Sequence, residues 1–201
     1  MPIHLIGLLG GVASGKSLVA RELARLGAGL LDADRAGHEA LGVERVKQAV
    51  RKHWGPGVFG ADGEIDRARL SRIVFAAPPD GPRERRYLEQ ITHPEIGRIL
   101  HRQAGEMASL GVAVAVLDAP LLIEAGWDHC CDTLVFVDAP RELRLTRARK
   151  RGWSEEEFAA REEAQESLDV KRKRAHLILD NSGSVEQVRA QVERFWRTLV
   201  G

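Results

Sequence analysis

The sequence predicts an α/β fold of the P-loop NTPase type, a doubly wound parallel sheet of about five strands. Three observations carry the prediction. Gly10-Gly11-Val12-Ala13-Ser14-Gly15-Lys16-Ser17 fits the pattern GxxxxGK followed by Ser or Thr, after an apolar run and before a helical one. That context separates a phosphate-binding loop from a chance glycine-rich turn. Three later runs are short, apolar and β-branched, and each stops at an acidic residue; in doubly wound sheets, ligand-facing groups lie beyond the carboxyl ends of the strands. Finally, two long polar stretches interrupt the plan without adding strands.

Residues 3–9 form an apolar run ending in glycines, as expected of a central strand buried on both faces. From Lys16 the periodicity turns helical through Val19, Leu23 and Leu26, with Gly27 as the C-terminal cap. Residues 29–32 read as a second strand, completing a strand–loop–helix–strand unit. Further strands are expected at 112–117 ending at Asp118, at 133–137 ending at Asp138, and at 176–179 ending at Asp180-Asn181. Ser184 and Gln187 make a capping box for a closing helix with the apolar stripe Val185, Val188, Val192, Phe195 and Leu199. Residues 34–110 carry turn signals at Gly55-Pro56-Gly57 and Pro78-Pro79-Asp80-Gly81-Pro82. This stretch is too long for one crossover helix and reads as a helical insertion. Residues 140–174 are polar and highly charged.

A length of 201 residues suits one compact domain that folds without disulfide or metal staples. The net charge of +1 argues against a dedicated nucleic-acid binder. The only cysteines, Cys130 and Cys131, are adjacent and form neither a disulfide framework nor a zinc pattern, so two semi-buried thiols in a reducing cytoplasm are expected. No apolar run reaches the roughly 18 residues of a membrane span, and the N-terminus lacks the basic region of a signal peptide.

The loop's chemistry follows from its residue types. Backbone N–H groups that wrap an anion need glycine wherever a Cβ would collide or φ must be positive. The following helix adds its N-terminal partial charge. Lys16 supplies a cation for the β and γ phosphates of ATP, and Ser17 an oxygen for Mg²⁺. No guanine-reading NKxD is present. Asp32-Ala33-Asp34 follows the second strand, near where a γ-phosphate must point, and a carboxylate there suits an acceptor hydroxyl. His38 would share a helical face with Asp34. Asp118 ends an apolar strand, the address of an acid that holds the Mg²⁺ shell through water. Asp138 has a similar address, with a turn role as the alternative.

In this order, the segments Gly7 to Ser17, Asp32-Ala33-Asp34 with His38, Asp62 to Arg67 with Leu70 and Val74-Phe75, Leu88 to Pro94, Leu117 to Glu124, Gln165, and Ala175 to Gly183 resemble the dephospho-coenzyme A kinase family over nearly the whole chain. The resemblance implies transfer of the ATP γ-phosphate to the ribose 3′-hydroxyl of dephospho-CoA. It also implies a core of 1–33, 111–139 and 175–201, a helical CoA-binding insertion at 34–110 and a lid at 140–174. Asp34 would act on the acceptor hydroxyl, and Arg147 would be the lid arginine that approaches the ATP phosphates. Asp32 would support the metal shell through water. Leu18 stands where the family usually has threonine, keeping a backbone N–H for the phosphates without the hydroxyl. Leu168 and His176 also depart from the family pattern.

Arg141, Arg144, Arg147, Arg149, Lys150 and Arg151 crowd one segment, and Lys171-Arg172-Lys173-Arg174 forms another. Most are expected to be solvated, with one or two serving the phosphates. The leading expectation is a cytoplasmic kinase, a monomer or small homo-oligomer, with small-molecule partners ATP and dephospho-CoA and neither nucleic acid nor membrane. Another small-molecule or nucleoside kinase, and a nucleotide-dependent binding module, are the alternatives.

Overall fold

The computed structural model describes residues 3–201. Among them are β1 (His4–Gly10), β2 (Gly29–Asp32), β3 (Val114–Asp118), β4 (Thr133–Asp138) and β5 (Leu177–Asp180), which pair in the order β2-β3-β1-β4-β5. Every pairing is parallel. The chain leaves central β1 to build one side of the sheet, then crosses to β4 on the other. The carboxyl end of β1 is therefore the switch point at which such sheets bind ligands.

Each expected strand is present, and the shifts in its ends have local causes. Val112 donates its N–H to Met107 O and Gly111 has a φ of 84°, so the turn after the preceding helix consumes residues 111–113 before β3 begins. The acidic residues close the ladder as its last rungs, with Asp32 beside Asp118 and Asp138 beside Asp180.

Alternate strand residues, Ile6, Leu8, Val114, Val116, Val135, Val137 and Leu179, bury one sheet face. The helices α1 (Lys16–Arg25) and α9 (Val185–Val200) cover it with Val19, Ala20, Leu23, Val188 and Val192. Burial of each Val, Leu or Ile among them stabilises by about 1.5–3 kcal/mol. The Ser184–Gln187 capping box forms as expected. The stripe, however, begins at Val188, since Val185 is the first helical residue and is exposed.

The described residues divide into two compact units, one of 3–32 with 103–201 and one of 33–102. The second holds α2 (Ala33–Leu41), α3 (Glu44–Trp54), α4 (Arg67–Val74) and most of α5 (Asp80–Ser109). Its own core is Val46, Val50, Val58, Phe59, Ile65, Leu70 and Val74, with Leu88 and Ile91 of α5 against it. Asp66 caps α4 by accepting from the N–H groups of Ala68 and Arg69. In the first unit, α6 (Arg141–Arg149), α7 (Glu155–Glu163) and α8 (Leu168–Arg174) fill the charged stretch between β4 and β5. Solvation fails as a description for two of its cations: Arg144 is 3% exposed and Lys171 is 2% exposed.

Candidate active site

Where β1 ends, the chain turns through Gly10 (φ 148°), Ala13 (φ 57°) and Gly15 (φ 100°) before α1 starts at Lys16. A Cβ on Gly10 would stand 2.6 Å from Val137 O, and one on Gly15 would collide with Asn181 Nδ2. These two positions therefore need glycine for space as well as for φ. The N–H groups of Leu18 and Val19 close on Gly15 O at 2.9 and 3.3 Å. Among the described residues no backbone acceptor takes the N–H of Gly15, Lys16 or Ser17. The Ser14 hydroxyl is buried without a partner. Free N–H groups at a helix start, with an orphaned hydroxyl beside them, match the needs of a bound phosphate.

Lys16 curls back over this loop and donates from Nζ to Gly10 O at 3.0 Å and Gly11 O at 3.2 Å. Burial pushes its ammonium down to about 8, with Asp118 and Glu124 opposing the shift and Lys171 and Arg144 adding to it. A polyanion would reverse that shift, because nearby negative charge favours the ammonium.

Ser17 Oγ donates to Asp118 Oδ2 at 3.2 Å, and Asp118 pairs in register with Asp32. Three oxygen-bearing side chains thus lie at the carboxyl ends of β2 and β3 and the start of α1. No group of three or more His, Cys, Asp or Glu side chains among the described residues is set to hold a metal alone. Mg²⁺ in kinase sites needs no such cage, since it keeps waters and rests on one or two protein oxygens plus phosphates. The donor set fits that ion.

Arg147 donates from Nη1 to Ser14 O at 3.1 Å and from Nη2 to Asn181 O at 2.9 Å and Asn181 Oδ1 at 3.3 Å. Burial, and secondarily Arg151, lowers its pKa, but guanidinium remains a cation in proteins. Its donors engage the back of the phosphate loop. Leu18 has its N–H on Gly15 O, and its side chain packs against the sheet core.

Asp34 is exposed in the first turn of α2, in the second unit. Only Ala33 separates it from Asp32, so covalent geometry keeps the two α-carbons within about 7 Å. His38, one turn further along α2, accepts from Arg67 Nη2 at 2.7 Å. Asp138 is ion-paired with Arg172 at 2.7 Å and accepts from the Asn181 N–H through its main chain. His176 Nδ1 accepts from the Leu134 N–H at 2.9 Å, a structural contact between the starts of β4 and β5.

Three residues given no site role from the sequence are buried near this loop, and two of them, Asn181 and Arg144, hold it directly. Asn181 is buried and donates from Nδ2 to Ser14 O at 2.7 Å. Arg144 donates to Val12 O at 3.3 Å and Ala139 O at 3.1 Å and pairs with Glu162 at 2.5 Å. Lys171 donates to Gln165 Oε1 at 3.0 Å and pairs with Glu124 at 3.2 Å. Asn181 lies at a strand end inside a segment that carries the family resemblance, with nothing local to mark its contact, and the two cations are masked by neighbours of the same charge.

A family profile described as dephospho-CoA kinase matches residues 4–187. A dephospho-CoA kinase of Symbiobacterium thermophilum is 44% identical over 202 residues, spanning 99% of this chain and 82% of that one. A Thermus thermophilus protein of known crystal structure superposes with a TM-score of 0.81 at 35% identity, covering 100% of both chains. The structure of a dephospho-CoA kinase from Campylobacter jejuni, at 24% identity, TM-score 0.64 and coverage of 99% and 98%, shares the fold.

Proposed function

The chain belongs to the dephospho-CoA kinase family, and from that premise we propose how its own residues phosphorylate dephospho-CoA to coenzyme A with ATP. The observation that carries the reading is the loop of Gly10 to Ser17, whose Gly15, Lys16 and Ser17 N–H groups meet no backbone acceptor among the described residues, with Lys16 folded over it and Ser17 on Asp118.

Binding begins at the loop. The N–H groups of Gly15, Lys16 and Ser17 receive the phosphates, and the Lys16 ammonium moves from two carbonyls to the β and γ oxygens. Ser17, with Asp118 and Asp32 each through water, would hold Mg²⁺, which neutralises phosphate charge when bound. Arg147 adds a cation on the far side of the Ser14 carbonyl.

Asp34 orients the acceptor 3′-hydroxyl in line with the γ-phosphorus and takes its proton. An aspartate with an ordinary pKa near 4 is a weak base for an alcohol. Phosphoryl transfer is loose, however, so the nucleophile need not ionise before attack. Orientation comes first and proton acceptance late. The reaction joins the acceptor oxygen to the γ-phosphorus and breaks its bond to the β–γ bridging oxygen, leaving ADP.

The helical segment 34–110 is proposed as the acceptor-binding region and 140–174 as the lid. No helix among the described residues is long and apolar enough to cross a membrane, and both cysteines are free thiols. Those features support a cytoplasmic location. Incubation with ATP, Mg²⁺ and dephospho-CoA should yield a product one phosphoryl group heavier; failure to form it would end the proposal.

A further inference from the structure

Asn181 is 3% exposed, and all its polar atoms are engaged. Nδ2 donates to Ser14 O at 2.7 Å. Oδ1 and the main-chain O accept from Arg147 Nη2, and the N–H donates to Asp138 O at 2.8 Å. Arg147 Nη1 reaches the same Ser14 oxygen at 3.1 Å, so one carbonyl is held by two donors, one of them charged.

That carbonyl belongs to the Ser14–Gly15 peptide unit. A trans peptide is planar, and its C=O and following N–H point in opposite directions. Fixing the Ser14 oxygen against Asn181 and Arg147 therefore aims the Gly15 N–H away from them. Gly15 can hold this pose because its φ of 100° is open to glycine. Charge on the oxygen side also polarises the amide, which strengthens the N–H as a donor.

We infer that Asn181 is a positioning residue for phosphate capture: with Arg147 it clamps the Ser14–Gly15 peptide so that the Gly15 N–H faces the phosphates of the nucleotide. The inference rests on the phosphotransferase reading above and adds to it a residue outside the glycine-rich motif. It also gives Arg147 a route to the anion through one peptide bond. The rival role for a residue just past β5 is contact with the nucleotide base.

Inorganic tripolyphosphate separates the two, because it has phosphates and no base. Calorimetric titrations of the full chain should compare ATP, tripolyphosphate and dephospho-CoA on wild type, Asn181→Ala and Asn181→Asp. Asn181→Asp is isosteric and keeps an acceptor for Arg147, but it turns the donor facing Ser14 O into an acceptor, so it tests the idea even if the alanine variant fails to fold. Both variants should weaken ATP and tripolyphosphate by a similar factor, about tenfold or more, and leave dephospho-CoA unchanged. Weaker ATP with unaltered tripolyphosphate would make Asn181 a base contact and overturn the inference. So would unaltered binding of both, or equal loss of all three ligands, which marks a general structural defect. A wild-type protein that binds tripolyphosphate but forms no coenzyme A would remove the functional proposal while leaving this test intact.

Discussion

Asp32 and Asp118 are register partners on the last rung between β2 and β3, so two carboxylates stand on neighbouring strands about 4.8 Å apart. Ser17 Oγ donates to the Asp118 member of the pair. Two carboxylates and a serine hydroxyl at adjoining chain ends offer the oxygens a divalent cation needs beside phosphates, which is why the proposal puts Mg²⁺ there.

The variants Asp118→Asn and Asp32→Asn should therefore raise the Mg²⁺ concentration needed for half-maximal turnover, by about 10- to 100-fold for Asp118 and less for Asp32. Turnover measured across a Mg²⁺ series checks this. A loss in Asp32→Asn that added Mg²⁺ does not relieve would remove that residue from the metal shell.

Lys16 gives a prediction with a definite sign in pH. Its ammonium is pushed from 10.5 down to about 8 by burial. The unfolded chain thus binds more protons between those values, and stability attributable to Lys16 rises as pH climbs through that window. Capture of ATP moves the opposite way, because it needs the ammonium, so kcat/KM for ATP should fall above about 8. Lys16→Met should show neither trend, should lose transfer and should keep its fold. Urea denaturation and initial rates at several pH values measure both. Near-normal turnover in the variant would contradict the loop's assignment.

Arg144 holds Val12 O and Ala139 O and pairs with Glu162, whose side chain is 23% exposed against 4% for Arg144. Removing the buried partner leaves two carbonyls without their charged donor, while Glu162 keeps only its second pair, with Arg141 at 3.1 Å. Arg144→Met should cost about 3 kcal/mol, the lower part of the range for broken buried pairs, because Glu162 keeps some water. Chemical denaturation measures it, and a cost under about 1 kcal/mol would show the pair to be no stronger than a surface one.

Much of the fold was legible because local chemistry and tertiary context agree. The runs of β1, β3 and β4 are almost wholly apolar, as strands covered on both faces must be, and Gly10 and Gly15 sit where neighbours leave no room for a Cβ. The Ser184 cap needed only two residues three apart. Val185 misled because helical periodicity does not reveal that the first residue of a helix faces solvent. The burial of Arg144 and Lys171 was hidden for a different reason: their partners Glu162, Glu124 and Gln165 come from other segments, and a run of basic residues does not say which members meet them. Asn181 was missed because its role exists only once β5 is laid beside β4 and its amide meets Ser14 O.

Asp34 carries the central claim. General-base assistance typically contributes about 10²–10⁴-fold, and Asp34→Asn should lose turnover in that range. Asparagine still accepts a hydrogen bond from the hydroxyl, so dephospho-CoA affinity should change little.

The most direct measurement is the rate of phosphoryl gain on dephospho-CoA, followed by mass, for wild type and Asp34→Asn with ATP and saturating Mg²⁺. The expected result is a wild-type product bearing one added phosphoryl group at the ribose 3′ position, with the variant slowed about 10²–10⁴-fold at nearly unchanged acceptor KM. Wild-type rates in Asp34→Asn, or no mass gain in the wild type, would contradict the account.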